Sequence, residues 1–149
     1  MNGINRITVH HDGLPPTSLR TQAQVARRLS QIRNGHLSNG WVDIGYHYAI
    51  DPMGNVWECR SVNLQGAHVK DNNEHNLGVL VLGNFDQQQP TSAAMATLQA
   101  FVPFQMRRYR VGVGRVYTHQ ELNPTRCPGR NLQRAMVQSR QRGGALASG

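Results

Sequence analysis

Side chains that zinc prefers fall at or beside strand ends in three places: at His10 or His11, at His119, and at Cys127 eight positions further on. Imidazole nitrogen and thiolate sulfur both bind zinc well, and a centre with three protein ligands keeps a fourth position open for water. An open position marks catalysis rather than scaffolding. The residues alone leave two points open. Either histidine of the pair is able to serve, and a Cys127/His119 pair would also suit the nucleophile and base of a cysteine hydrolase. Taken singly, each residue is more often structural, since a lone cysteine is commonly a small core group. Their setting weighs the other way. Cys127 lies in Asn123-Pro-Thr-Arg-Cys-Pro-Gly129, a loop bounded by Pro and Gly of the kind that presents side chains rather than burying them.

The elements that must position these groups follow from the apolar pattern. Arg6 to His10 alternates and is β-branched, which predicts a strand with Ile7 and Val9 on one face, Thr8 and His10 on the other, and His10 at its C-terminal end. After the turn formers from Asp12 to Pro16, Ser18 to Arg33 places Leu19, Val25, Leu29 and Ile32 on one helical face, with Thr17 or Ser18 as cap. Tyr46 to Asp51 and Val56 to Arg60 flank a turn at Pro52-Met-Gly-Asn55 and read as a β-hairpin. Leu77 to Leu82 is a nearly continuous apolar run, so it is expected to be a central strand covered on both faces.

Thr91 to Tyr109 carries Met95, Leu98, Val102 and Met106 at helical spacing, and Pro103 is expected to kink or divide that helix. Arg115 to His119 reads as a short strand and Asn131 to Arg140 as a last, basic helix. The fold class is therefore α/β: one domain over residues 1–142, a central mixed sheet of about five strands and about three flanking helices. Residues 143–149 read as a disordered tail.

The chain has 149 residues, the size of one domain, and no apolar run approaches the roughly 20 residues of a membrane-spanning helix. Its 16 Lys+Arg against 8 Asp+Glu give a net charge of +8, mostly from Arg, and such a surface seeks polyanions. Nucleic acid and the phosphate- and carboxylate-rich bacterial envelope both answer that description. A specific nucleic-acid binder would need a recognition helix or an aromatic-basic platform, and neither is legible. Two cysteines, Cys59 and Cys127, are too few to suggest a disulfide framework or a compartment. Met1 to Arg6 lacks the apolar core of a secretory signal.

Several short motifs occur in an order seen in one family: Val9-His10-His11, Gly45-Tyr46-His47-Tyr48, Gly66-Ala67-His68, Leu77-Gly78-Val79, Gly83-Asn84-Phe85, His119 and Cys127-Pro-Gly129. Each is weak alone; together, with compatible spacing from about Ile7 to about Leu132, they are specific. The chain resembles the zinc-dependent N-acetylmuramoyl-L-alanine amidases, which include the amidase-type phage lysozymes and the peptidoglycan recognition proteins.

That resemblance implies a peptidoglycan-recognition fold and one Zn2+ held by His10, His119 and Cys127, with His11 a structural neighbour on the opposite face of the strand. It implies that Tyr46 stands beside the metal as a catalytic residue, and that His68, Asn73 and Asn84 line the substrate groove. Trp41 and Trp57 read as packing residues. Two positions before the cysteine, phage enzymes usually carry a Lys that stabilises the oxyanion; this chain has Thr125, as amidase-active recognition proteins commonly do, and Arg126 stands next to it. The implied activity is hydrolysis of the bond between N-acetylmuramic acid and L-alanine. The alternative within the fold is a module that binds peptidoglycan without cutting it. The implied place of action is the bacterial cell wall, periplasmic or extracellular, reached by lysis, a holin or a leader beyond this sequence. Arg-rich segments at 107–110 and 130–142 are expected to hold the anionic wall.

Overall fold

The structure, a computed structural model, describes residues 1–14 and 19–147. Five strands form one mixed sheet: β1 (Arg6–His11), β2 (Tyr48–Ile50), β3 (Val56–Glu58), β4 (Asn76–Val81) and β5 (Val116–Thr118). Their order is β3-β2-β4-β1-β5, with β1 parallel to β4 and β5, β2 parallel to β4, and the β2–β3 hairpin antiparallel. Three helices complete the domain: α1 (Gln22–Ser38), α2 (Ser92–Tyr109) and α3 (Arg130–Arg140). The expected fold class and the central place of the Leu77 run both hold. β4 is buried at every position because helices cover both faces of the sheet.

The two faces carry separate cores. Ile7, Val9, Leu77, Val79 and Val81 point toward Leu98, Val102 and Met106 of α2 and Leu132 and Met136 of α3. Ala49, Leu80 and Leu82 meet Val25 of α1, with Leu29, Ile32 and Trp57 packed beside them. Burying each large aliphatic side chain contributes about 1.5–3 kcal/mol, so α1 and α2 are held to the sheet chiefly by these stripes. Strand alternation then places His10, in register with Leu80, on the α1 face at the C-terminal end of β1. The ends of parallel strands are where open α/β sheets collect their ligands.

Four expectations change. Helix α1 starts at Gln22, capped by Thr21 in a reciprocal box with Gln24, whereas the expected caps Thr17 and Ser18 lie outside the described residues. That signal, Thr-x-x-Gln, stands in the sequence and was passed over. Helix α2 runs unbroken through Pro103, whose ring is buried; one lost backbone bond is outweighed by the packing of Leu98, Val102 and Met106 on either side. The hairpin strands are shorter than expected, so Tyr46 stands in the loop before β2. Residues 143–147 are not a loose tail: Leu146 is 1% exposed in the main core and its N–H donates to the Ser139 carbonyl. Residues 148 and 149 lie outside the described residues.

Candidate metal centre

β1 delivers His10 at its end, and β5 delivers His119, which opens a single 3-10 turn (His119–Glu121) directly after Thr118. Cys127 comes from the loop that follows and returns to β1: its carbonyl accepts from Gln120 N–H, and its Sγ accepts from His11 N–H at 3.4 Å. Gly129 lets this loop pass close, because it has φ 84° and a Cβ there would lie 2.6 Å from the Phe85 carbonyl carbon.

One ligand atom from each of His10, His119 and Cys127 lies within 4.8 Å of the others, and Cys127 Sγ stands 3.5 Å from His10 Nδ1. A tetrahedral zinc with its usual N and S bond lengths separates those two atoms by about 3.6 Å. The donor set and spacing thus fit one zinc ion. His10 rather than His11 takes part. The His11 ring turns to the other face, where its Nδ1 accepts from Phe85 N–H at 3.2 Å and its plane stacks on Phe85.

Burial sets the protonation of the group. His10, fully enclosed, is held well below the ordinary histidine pKa by desolvation first and then by the neighbouring His68, His119 and His11. Burial lowers His119 too, partly offset by the Asn123 side chain. Both imidazoles are therefore neutral near pH 7 and keep a lone pair for a metal. The same desolvation pushes the Cys127 thiol up to about 12, against a smaller opposing effect of the His11 N–H. A divalent cation reverses that logic by stabilising the thiolate directly.

The family model described as N-acetylmuramoyl-L-alanine amidase matches residues 1–130. The chain belongs to that amidase family. Among relatives, peptidoglycan-recognition protein SC2 of Drosophila melanogaster is 32% identical over 133 residues, covering 88% of this chain and 71% of its own. The amidase LysC of Clostridium intestinale superposes with a TM-score of 0.74 at 28% identity, over 87% of this chain and 78% of that one. Peptidoglycan recognition protein LE, solved in complex with tracheal cytotoxin, a monomeric diaminopimelic acid-type peptidoglycan, gives a TM-score of 0.81 at 25% identity, over 91% and 81%.

In this amidase-family chain the Tyr46 ring lies against His10, with 5.1 Å between ring centroids. Burial raises its phenol pKa, with Cys127 and Asp12 adding to the rise, so it keeps its proton and remains a donor. Its loop is anchored by Arg60, a buried residue the sequence reading passed over. The guanidinium donates to three backbone carbonyls, those of Ile44, Gln65 and Asp43, at 2.8, 2.6 and 3.0 Å.

The other expected site residues divide. Thr125 is exposed near the centre, and its Oγ1 accepts from Cys127 N–H at 3.2 Å. Asn73 lines a cavity of about 430 Å³ beside His119, but its Oδ1 is engaged by the N–H groups of His68 and Val69, both at 2.8 Å. Asn84 holds its own turn, accepting from Asp86 N–H at 3.2 Å and donating to the Gly13 carbonyl at 3.4 Å. His68 is only 7% exposed, with both ring nitrogens bonded inside the protein. It lines the same cavity as Asn73 and His119, but its ring has no polar nitrogen left for a substrate, because one is engaged by His10 and the other by the Asn76 carbonyl.

Trp41 moves in the opposite direction. Expected to be packing, it is 38% exposed, tilts over the His36 ring at 4.6 Å, and lines the same cavity as His119. Its partner in the sequence reading, Trp57, does pack, with Nε1 donating to Asp51. A second cavity of about 560 Å³ meets Tyr46 from the side of α1, between Asp12, Ile32 and His36. The centre is thus flanked by two hollows, one under Trp41 and one along α1. The basic segments divide as well: Arg107, Arg108 and Arg110 are exposed, whereas Arg140 is tied to Glu121 and the Val116 carbonyl. Among the described residues no helix is long and apolar enough to cross a membrane.

Proposed function

We propose that this chain is a zinc-dependent amidase that hydrolyses the bond between N-acetylmuramic acid and L-alanine in bacterial peptidoglycan. The observation that carries the reading is the convergence of His10, His119 and Cys127 within 4.8 Å, beside Tyr46 and between two hollows. A module that only binds peptidoglycan has no need of a complete ligand set. The complex of recognition protein LE with tracheal cytotoxin supports a muropeptide as the occupant of the groove. The wall then becomes the place of action.

When bound, the zinc supplies a Lewis acid that polarises the lactyl carbonyl and acidifies a water. His10, His119 and Cys127 would hold the ion, leaving the side toward the hollows for substrate and water. Tyr46 keeps its proton and donates it as a hydrogen bond to the oxygen on which charge develops, an interaction that strengthens toward the transition state. Thr125 Oγ1 accepts from the Cys127 backbone and so keeps its own O–H to donate. Trp41 offers an apolar face on the His119 side of the groove to the sugar or stem peptide.

The deciding experiment measures zinc content and clearing of a purified cell-wall suspension on the same preparation. About one zinc per chain, with clearing that a chelator abolishes and added zinc restores, is the expected result. Zinc without clearing, together with retention on the wall, makes the chain a recognition module. Clearing blocked by a thiol alkylating reagent but indifferent to the chelator makes it a cysteine hydrolase.

A further inference from the structure

His68 meets His10 on the Nε2 edge of its ring, opposite the Nδ1 that faces Cys127. Its Nε2 is 3.0 Å from the Asn76 carbonyl and its Nδ1 is 2.9 Å from His10 Nε2. A carbonyl oxygen can only accept, so His68 carries its proton on Nε2 and presents a lone pair at Nδ1. His10 must then donate from Nε2. The remaining lone pair of His10 sits on Nδ1, the atom 3.5 Å from Cys127 Sγ. One backbone oxygen thereby decides, through two rings, which nitrogen of His10 is free. His10 is fully buried, so no bulk water competes for its Nε2.

The ring is seated by missing side chains. A Cβ at Gly78 would lie 2.7–2.9 Å from His68 ring atoms, and one at Gly66 would lie 2.6 Å from the same ring. Both distances are too short for any Cβ, so alanine at either position must push the ring off its partners. Gly78 interrupts the apolar run of the central strand, where glycine weakens packing and signals close approach of another group. Turning the ring over would put carbon atoms opposite both the Asn76 carbonyl and His10.

We propose that His68 is a positioning residue for the metal centre: it locks His10 in the tautomer whose Nδ1 faces Cys127, and Gly66 and Gly78 provide the clearance for its ring. The inference rests on the reading of His10 as a ligand, and its first test needs no metal. In the metal-free protein labelled with 15N at histidine, two-bond nitrogen–proton correlations report each ring's tautomer. The expected spectrum shows His10 and His68 both protonated on Nε2. A His10 protonated on Nδ1 overturns the proposal, whether or not the chain proves to be a hydrolase.

The second test measures zinc affinity by competition with a chromophoric chelator. His68→Leu removes the acceptor while keeping the cavity filled, and is expected to weaken zinc about 10- to 100-fold, the usual effect of losing a partner that orients a ligand. His68→Gln, whose amide oxygen can accept from His10, should recover part of that loss. Gly78→Ala, which displaces the His68 ring while leaving both histidines in the sequence, should weaken zinc in the same direction. If folded His68→Leu binds zinc as tightly as the parent, the residue is packing alone. Should His68→Leu not fold, the tautomers of the parent still decide.

Discussion

Arg140 on α3 grips Glu121 at two points, NH1 on Oε1 and NH2 on Oε2, each at 2.6 Å. Glu121 closes the 3-10 turn that begins with His119, and its Oε1 also accepts from Thr118 N–H at 3.0 Å. The last turn of α3 therefore holds the turn that aims a candidate ligand. Burial pushes the Glu121 pKa up, but hydrogen bonds from Arg140, Thr118 and Gln133, with the Arg140 charge, outweigh it and hold the carboxyl at about 2. A depressed carboxyl stabilises the fold above its ordinary value near 4.5 and loses that contribution as pH falls toward about 2. Parent protein should therefore exceed Glu121→Gln in urea midpoint at pH 7, with the gap closing between about pH 4.5 and pH 2. A gap that persists at pH 2 would show that the charge is not the cause.

His10→Ala, His119→Ala and Cys127→Ala should each lose zinc and abolish wall clearing, because two remaining protein ligands hold the ion poorly. His11→Ala should keep most of its zinc, since the His11 ring faces Phe85. Metal analysis of the four purified variants is the check. Full zinc in His10→Ala with none in His11→Ala reverses the assignment.

Tyr46→Phe removes one hydroxyl and leaves the ring against His10. Zinc content and unfolding midpoint should stay at parental values while turnover drops about 10- to 1000-fold, the range for deleting one oxyanion or water-positioning donor. Parental turnover would reduce Tyr46 to packing.

Trp41→Ala should raise KM for a soluble muropeptide about 2- to 12-fold, the equivalent of about 0.5–1.5 kcal/mol for an aromatic contact, with kcat little altered. The opposite outcome, lower stability with unchanged KM, returns Trp41 to the packing role that the sequence reading assigned it.

The exposed residues Arg107, Arg108, Arg110, Arg130, Arg134 and Arg142 belong to the surface expected to hold the anionic wall. Wall retention should fall between 0.1 and 1 M salt as the Debye length shrinks from about 10 to about 3 Å. Cleavage of a small muropeptide should hardly respond, since those charges steer rather than react. Equal salt sensitivity in both assays would move the charges into the active site, and tight duplex DNA binding with sequence preference would reopen the nucleic-acid reading.

Local pattern was enough for the skeleton of this protein. The β-branched alternation of Arg6 to His10 favours a strand, and the short apolar run Leu77 to Leu82 suits one buried on both faces; both form as strands. Residue chemistry with motif order singled out His10, His119, Cys127 and Tyr46, because a ligand must be of a particular type however the chain brings it in. What the tertiary structure decided are properties of pairs distant in the chain. That the His68 ring is committed to His10 depends on the Asn76 carbonyl and on the clearance left by Gly78, both of which belong to β4. Whether Arg140 is free to hold a wall or is committed to Glu121 depends on where α3 crosses the turn at His119. Leu146 reads as tail until the core it completes exists. Spacing along a chain constrains side chains within a turn or two; beyond that range only packing of the whole fold assigns a polar atom its partner.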